Sequence, residues 1–362
     1  MNISMTIRAL LASAALGVGA GCSGGSQIAP MPSEPAAPDA ASASSPVARA
    51  AGGGGIIEGS GRFLRTGHHP RYEAPQSLAR HYTRGPKDLF VALTSDVAIF
   101  SNKRWNPTGT IDSTAMACPD GDWIDKKGNL YVADWDCGGS NTPGVYEFKP
   151  GASTPSFVYT AGLNDPINVE TDNHGNVYVM DFEGGYLDEY KQGSNTVLYQ
   201  CSPPSGYGFV ESAAIDSHGN VFMVSVNSQG PWTAYLYEYA GGLKGCPATQ
   251  LATFPFFPGG LVLDKNANVI LVDQVDGVVD ILPPPYTAIG SQISVPSGEP
   301  FMATLNKKND QIYVTDYVSD SADSGAVYID AYPSGSNLAT LGASDGIPQV
   351  PGGVVDTLNY VP

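Results

Sequence analysis

Short runs of β-branched and aromatic residues recur along the chain, each preceded by the same polar phrase and most closing on a polar residue. They follow Asp125-Lys126-Lys127-Gly128-Asn129, Asp172-Asn173-His174-Gly175-Asn176 and Asp216-Ser217-His218-Gly219-Asn220, and return after Asp264 and Asn306. Their length and period-2 alternation predict strands. The phrase itself suits a tight hairpin, because Asp can bond the following backbone and Gly accepts a positive φ. In the unit that begins near residue 122, strand A is expected over 122–125, B over 130–134, C over 145–148 and D near 157–160. Equivalent C strands are expected at 186–190, 236–239, 278–282 and 327–332, most of them followed by Pro or Gly.

Asn129, Asn176, Asn220, Asn268 and Gln311 lie 47, 44, 48 and 43 residues apart. A strand-built repeat of that period is the signature of a propeller, one blade per repeat. A degenerate unit precedes the others, with 89–93 as strand B and 97–100 as strand C, but it lacks a strand A. The C-terminal stretch 351–359 matches the lead-in 258–264 and is therefore expected to supply that strand, which closes the ring without an open sheet edge. The expected fold is all-β: a six-bladed β-propeller of four-stranded antiparallel blades closed by the C-terminal strand. Seven blades would result if residues 60–86 held a further half-blade.

The strand pattern over about 87–362 resembles the NHL-repeat and lactonase-like six-bladed propellers, whose strand B reads as a variant of the stretch from Asn129 to Asp134. That fold hosts hydrolases, lyases and binding modules alike. In the lactonase-like members, Glu, Asn and Asp form a site where the A strands enter a central funnel. The resemblance places Asp120, Asn168, Glu211 and Glu299 at matching positions, with Ser212, Gly260 and Met302 at others. The first four would be oxygen ligands suited to Ca²⁺, which polarises a carbonyl and activates water.

The first 22 residues read as an export signal, with Arg8 before an apolar stretch at 9–18 that is too short to span a bilayer. Gly19-Ala20-Gly21-Cys22 resembles the lipobox of bacterial lipoproteins, which implies a lipid on Cys22 and a membrane contact through that anchor. Ser23 then implies transfer to the outer membrane or cell surface; ordinary cleavage would leave a periplasmic or secreted protein. Residues 23–60 are rich in Ser, Ala, Pro and Gly and read as a disordered tether, followed by a lead-in at 61–86 to a propeller domain that spans 61–362. The lead-in gathers Arg62, Arg65, Arg71, Arg80, Arg84, His68, His69 and His81.

An exported chain uses cysteines as staples. With Cys22 set aside, four cysteines allow three connectivities, of which Cys118–Cys137 with Cys201–Cys246 is the one chosen from their places in the repeats. The formal charge of −17 speaks against a nucleic-acid partner, since phosphate binding needs a basic footprint.

Of the residues that could carry chemistry, Asp134, Asp181, Asp273 and Asp316 close strand B in successive units, with Ser225 and Leu93 at the matching positions. Residues that repeat in nearly every blade are read as builders of the blade, accepting hydrogen bonds from the B–C loop or a neighbouring blade. The carboxylate-rich stretch 316–325 lacks the spacing of an EF-hand loop and reads as a solvated loop. His174 and His218 share one turn position, and no G-x-S-x-G elbow occurs. Tyr131, Tyr146, Tyr178, Tyr190, Tyr237 and Tyr239 fall on strands B and C and are expected to pack between blades. Trp123 and Trp135, with Asp122 and Asp136, flank one hairpin and are read either as core packing or as the lining of a sugar or peptide site on the rim. The sequence thus points to a binding or scaffold module for a protein, peptide or carbohydrate, with a Ca²⁺-dependent hydrolase of the lactonase type as the alternative.

Overall fold

The computed structural model describes residues 88–93, 96–101, 105–111, 116–135, 142–204, 208–227, 232–296, 298–316, 325–347 and 351–356. These form six four-stranded antiparallel sheets. Blade 1 contains β1 (Asp88–Ala92), β2 (Val97–Ser101) and β3 (Asn106–Ile111). Blade 2 contains β4 (Pro119–Ile124), β5 (Leu130–Asp134), β6 (Gly144–Phe148) and β7 (Phe157–Tyr159). Blade 3 contains β8 (Pro166–Thr171), β9 (Val177–Asp181), β10 (Tyr186–Tyr190) and β11 (Val197–Cys201). Blade 4 contains β12 (Phe209–Ile215), β13 (Val221–Val226), β14 (Ala234–Tyr239) and β15 (Ala248–Phe254). Blade 5 contains β16 (Pro258–Leu263), β17 (Val269–Asp273), β18 (Val278–Leu282) and β19 (Ser291–Ser294). Blade 6 contains β20 (Pro300–Leu305), β21 (Gln311–Asp316), β22 (Ala326–Ala331) and β23 (Ser336–Leu341).

The last strand, β24 (Val354–Asp356), returns to blade 1 and pairs antiparallel with β1, placing Val354 opposite Val91 and Asp356 opposite Leu89. This is the ring closure expected from the C-terminal repeat. The inner strands β4, β8, β12, β16, β20 and β24 touch one another in that order and back to β4 around the axis. The described residues make six blades; the stretch 60–86, on which a seventh would depend, lies outside them.

The recurring phrase is a turn that satisfies itself. Asp125 Oδ1 accepts the backbone N–H groups of Lys127 and Asn129 at 2.8 and 2.9 Å, while its Oδ2 accepts Asn129 Nδ2 at 2.7 Å. The same three bonds recur at Asp172, Asp216 and Asp264, all between 2.8 and 2.9 Å. The turn in blade 6 is one residue longer, and Asn306 Oδ1 accepts from Asp310 and Gln311 instead.

The core lies between blades. Tyr131, Tyr159, Tyr190, Tyr237 and Tyr239 are fully buried, and Tyr146 and Tyr178 nearly so, as their strand positions predict. A buried phenol needs a hydrogen-bond partner. Tyr131 Oη accepts from Gln192 Nε2 at 2.6 Å, Tyr159 Oη donates to Glu147 at 3.0 Å, and Tyr190 Oη donates to the Ala161 carbonyl at 2.6 Å.

Two expectations need correction. Strand A of blade 2 begins at Pro119, not 122, because the strand pairs Pro119 with Asp134 and then bulges before Asp122 pairs with Val132. A bulge breaks strict alternation, which is why the pattern hid the strand's first half. The strand-closing acids meet the expected B–C turn only in part: Asp181 accepts the Gly184 N–H at 3.4 Å, and its shorter bonds, like those of Asp134, go elsewhere. Asp134 accepts the N–H groups of Ala117 and Cys118 at 2.6 and 2.9 Å, and Asp181 those of Asn164 and Asp165 at 3.0 and 2.7 Å. These carboxylates pin the segment entering their own blade's inner strand. Asp273 holds the B–C turn as expected, through Val275 and Asp276.

The Cys201–Cys246 disulfide forms as expected, with Cα atoms 5.5 Å apart, and joins the outer strand of blade 3 to the last turn of blade 4. Cys118 is also disulfide-bonded, and Cys137 lies outside the described residues.

Candidate functional site

All five inner strands that follow blade 1 carry an irregularity at the same place: before Asp122, Asn168, Ser212, Leu261 and Ala303. A bulge bends its strand and re-aims the side chains beside it, so the residues there help to decide what lines the channel. Counting back four from the turn residues Asp125, Asp172, Asp216, Asp264 and Asn306 gives Gly121, Asn168, Ser212, Gly260 and Met302, and Gly353 stands at the matching place in β24's lead-in.

That layer is plugged. Asn168 Nδ2 donates to Ser212 Oγ at 3.1 Å and lies 3.8 Å from Met302 Sδ. Asn168 belongs to blade 3 and Met302 to blade 6, opposite each other in a six-membered ring, so the pair bridges the axis. The small residues around it are required by close approach. A Cβ on Gly121 would sit 2.5 Å from Asn168 Oδ1, and one on Gly353 2.5 Å from the Asp122 nitrogen. Ser212 Oγ also accepts the Leu261 N–H at 2.9 Å, and Thr315 Oγ1 donates to the Gly352 carbonyl at 2.7 Å. The polar atoms of this layer are therefore engaged with one another.

The four candidate metal ligands are not brought to one point. Relative to the turn anchor, Asp120 and Glu211 stand five residues back, Asn168 four and Glu299 seven, so they occupy three different levels. Asp120 and Glu211 are buried in the bulges of blades 2 and 4. Glu299 precedes β20 and faces Asp316; burial, then that carboxylate, push its carboxyl above the usual range. Among the described residues, no group of three or more His, Cys, Asp or Glu side chains is placed to hold a metal ion.

The expected rim pair is separated. Trp123 lies opposite Tyr131 near the A–B turn, whereas Trp135 follows Asp134 at the far end of the same strands. Four residues of strand separate the two levels, about 13 Å at 3.3 Å per residue. Trp123 is 8% exposed and its indole donates to Thr171 Oγ1 of the next blade at 3.0 Å, so it packs blade against blade. Asp122 faces the channel, and Asp136 lies outside the described residues.

The channel below the plug holds two buried acids, and only Asp122 was singled out from the sequence. Asp122 and Glu170 both line it, together with Thr304, Val262 and Val354. Burial pushes the Asp122 carboxyl well above its ordinary range; its own backbone N–H offsets this only in part. Burial does the same to Glu170, partly offset by the Ile215 N–H. In both groups desolvation disfavours the charged carboxylate. Glu170 could have been found in the sequence: the matching inner-strand positions are Trp123, Ala214, Val262 and Thr304, none of them charged.

No protein-family profile matches the chain, and no curated protein sequence matches it. Solved structures do. A chain of the nidogen/laminin complex superimposes with a TM-score of 0.60 at 16% identity, covering 75% of this chain and 98% of that one. A protein of unknown function from Bacteroides caccae superimposes with a TM-score of 0.55 at 11% identity, covering 75% and 99%. At such identities the likeness is one of fold: this chain is a six-bladed β-propeller similar to those structures.

Proposed function

We propose that the protein is an exported, lipid-anchored NHL-like propeller that serves as a binding or scaffold module on the cell envelope, its ring a rigid platform and not a reaction vessel. The observation that carries this reading is the closed axis, where Asn168 and Met302 meet at 3.8 Å at the level of the inner-strand bulges. A hydrolase of the lactonase type would use that space for a cation and a substrate carbonyl. Here amide, thioether and glycine backbone fill it. Partner binding then falls to the exterior, and a protein, peptide or carbohydrate is the class of ligand such a surface takes. The similar chain of the nidogen/laminin complex comes from an assembly of proteins, which fits the same use of the fold. Arg8, the short apolar stretch and Cys22 supply the export and anchoring half of the proposal.

Two measurements test it. Cys22→Ser should release the protein from isolated membranes and abolish incorporation of labelled fatty acid; retention of both would refute the anchor. Calorimetric titration of wild type and Glu211→Ala with Ca²⁺ to millimolar concentrations should give no heat in either. Saturable heat in the wild type, lost in the variant and accompanied by lactone hydrolysis, would replace the module with the hydrolase.

A further inference from the structure

The cations of the ring are segregated. In every blade the A–B and C–D turns open on one face of the ring, and the B–C and D–A connections on the other. Lys126, Lys127, Lys265, Lys307 and Lys308 sit in A–B turns and are exposed. Lys149, Lys191 and Lys244 sit in C–D turns and are exposed as well. His174 and His218, with side chains 86% and 82% exposed, lie on the same face. From residue 88 onward, no connection of the opposite face contains a Lys, Arg or His. That face instead carries acids such as Asp165, Glu183, Asp276 and Glu299.

The acids of the lysine face mostly turn inward. Asp125, Asp172, Asp216 and Asp264 are engaged by backbone N–H groups of their own turns, which leaves Asp310 as an exposed carboxylate there. Lys127 Nζ reaches Gln192 Oε1 at 2.7 Å, and Lys126 Nζ donates to the Asn173 carbonyl, so cations of one turn lean over the next blade. A strand of six residues spans about 20 Å. The screening length at physiological salt is about 8 Å. The overall charge of −17 therefore does not cancel the lysine face locally.

The first described strand starts on the same face. β1 begins at Asp88 opposite Ser101, the C–D end of β2, and Leu89 pairs with Asp356 at the A–B end of β24. The first described strand therefore starts among the lysines, not at the acidic face. From this juxtaposition of charge and chain path we infer that the A–B/C–D face docks on an anionic lipid surface, its lysines meeting phosphodiester headgroups while the acidic face points away. The inference rests on the anchored reading above and adds an orientation to it.

The test uses the exported chain of the Cys22→Ser variant, which cannot be acylated. It should cosediment with vesicles of phosphatidylglycerol and phosphatidylcholine at low ionic strength, release as salt rises, and ignore vesicles of phosphatidylcholine alone. Each surface lysine near such a membrane is worth about fivefold in partitioning. Adding Lys307→Gln and Lys308→Gln should then weaken binding on the order of 25-fold. Restoring the net charge on the other face, with Glu183→Gln and Asp276→Asn, should not rescue it. Rescue would show a net-charge effect without orientation and overturn the inference. So would absence of vesicle binding, with or without salt-sensitive self-association of the free protein through lysine-to-acid stacking. Loss of the lipid on wild-type Cys22 with vesicle binding intact would sink the anchor and support the docking face; a lipidated Cys22 with no binding to vesicles would overturn the docking face alone.

Discussion

The repeated turn contains its own control experiment. Gly128, Gly175 and Gly219 hold the fourth turn position at φ of 83°, 89° and 82°, but blade 5 places Ala267 there at φ 58°. A residue with a Cβ in the left-handed region costs about 1–2 kcal/mol. Glycine returns part of that by loosening the unfolded chain, about 0.4–1 kcal/mol. Ala267 is exposed, so its methyl group contributes little packing. Its N–H keeps the same turn bond, to the Asp264 carbonyl at 3.0 Å, that Gly219 makes to Asp216 at 3.1 Å. Ala267→Gly should therefore stabilise the ring by about 1 kcal/mol, a rise in Tm of about 2–4 °C for a domain near this size. Gly219→Ala should lower stability by a similar amount, because a Cβ there meets nothing within 4 Å and the effect is the backbone's alone. Gly175 is a poorer control, since its Cβ would crowd Gln192 Oε1 at 3.1 Å. Differential scanning calorimetry of the two variants decides the matter: a lower Tm for Ala267→Gly, or an unchanged one for Gly219→Ala, would refute the reasoning.

Three further outcomes are expected. Asp188 is buried and pushed up to about 7 by desolvation, although Gln200 Nε2 donates to it at 2.9 Å. Its folded value lies above its unfolded one, so the folded protein holds the extra proton and stability falls as pH rises from about 4 to 7; Asp188→Asn should flatten that part of a urea-midpoint-against-pH curve by up to about 1.4 kcal/mol per pH unit. Cys201→Ser opens a loop spanning 45 residues, which the chain-entropy relation puts at about 4 kcal/mol, and its melting curve should coincide with that of Cys201→Ser/Cys246→Ser if the disulfide acts on the unfolded chain. Met302→Ala removes the thioether from the plug and should cost about 2–5 kcal/mol, read as a lower denaturation midpoint at unchanged slope.

Most of the architecture was legible because a propeller repeats its local physics. The Asp-x-x-Gly-Asn turn bonds within five residues, so its period counts blades without any knowledge of the ring. The C-terminal strand was legible for the same reason, as a copy of the lead-in at 258–264. The inner strands were less so: their bulges break alternation, which delayed the expected start of strand A to 122. The rim pair failed because proximity in sequence gave Trp123 and Trp135 one hairpin but not one end of it.

The sequence by itself determined the repeat, the closing strand and the restriction of lysines to certain turns, since each depends on short-range pattern or composition. Only the tertiary structure decided that those turns share one face, that Asn168 and Met302 meet across the axis, and that the oxygen ligands lie at different levels. These are relations between residues as far as 134 positions apart, and closing the ring, not any local preference, brings them together.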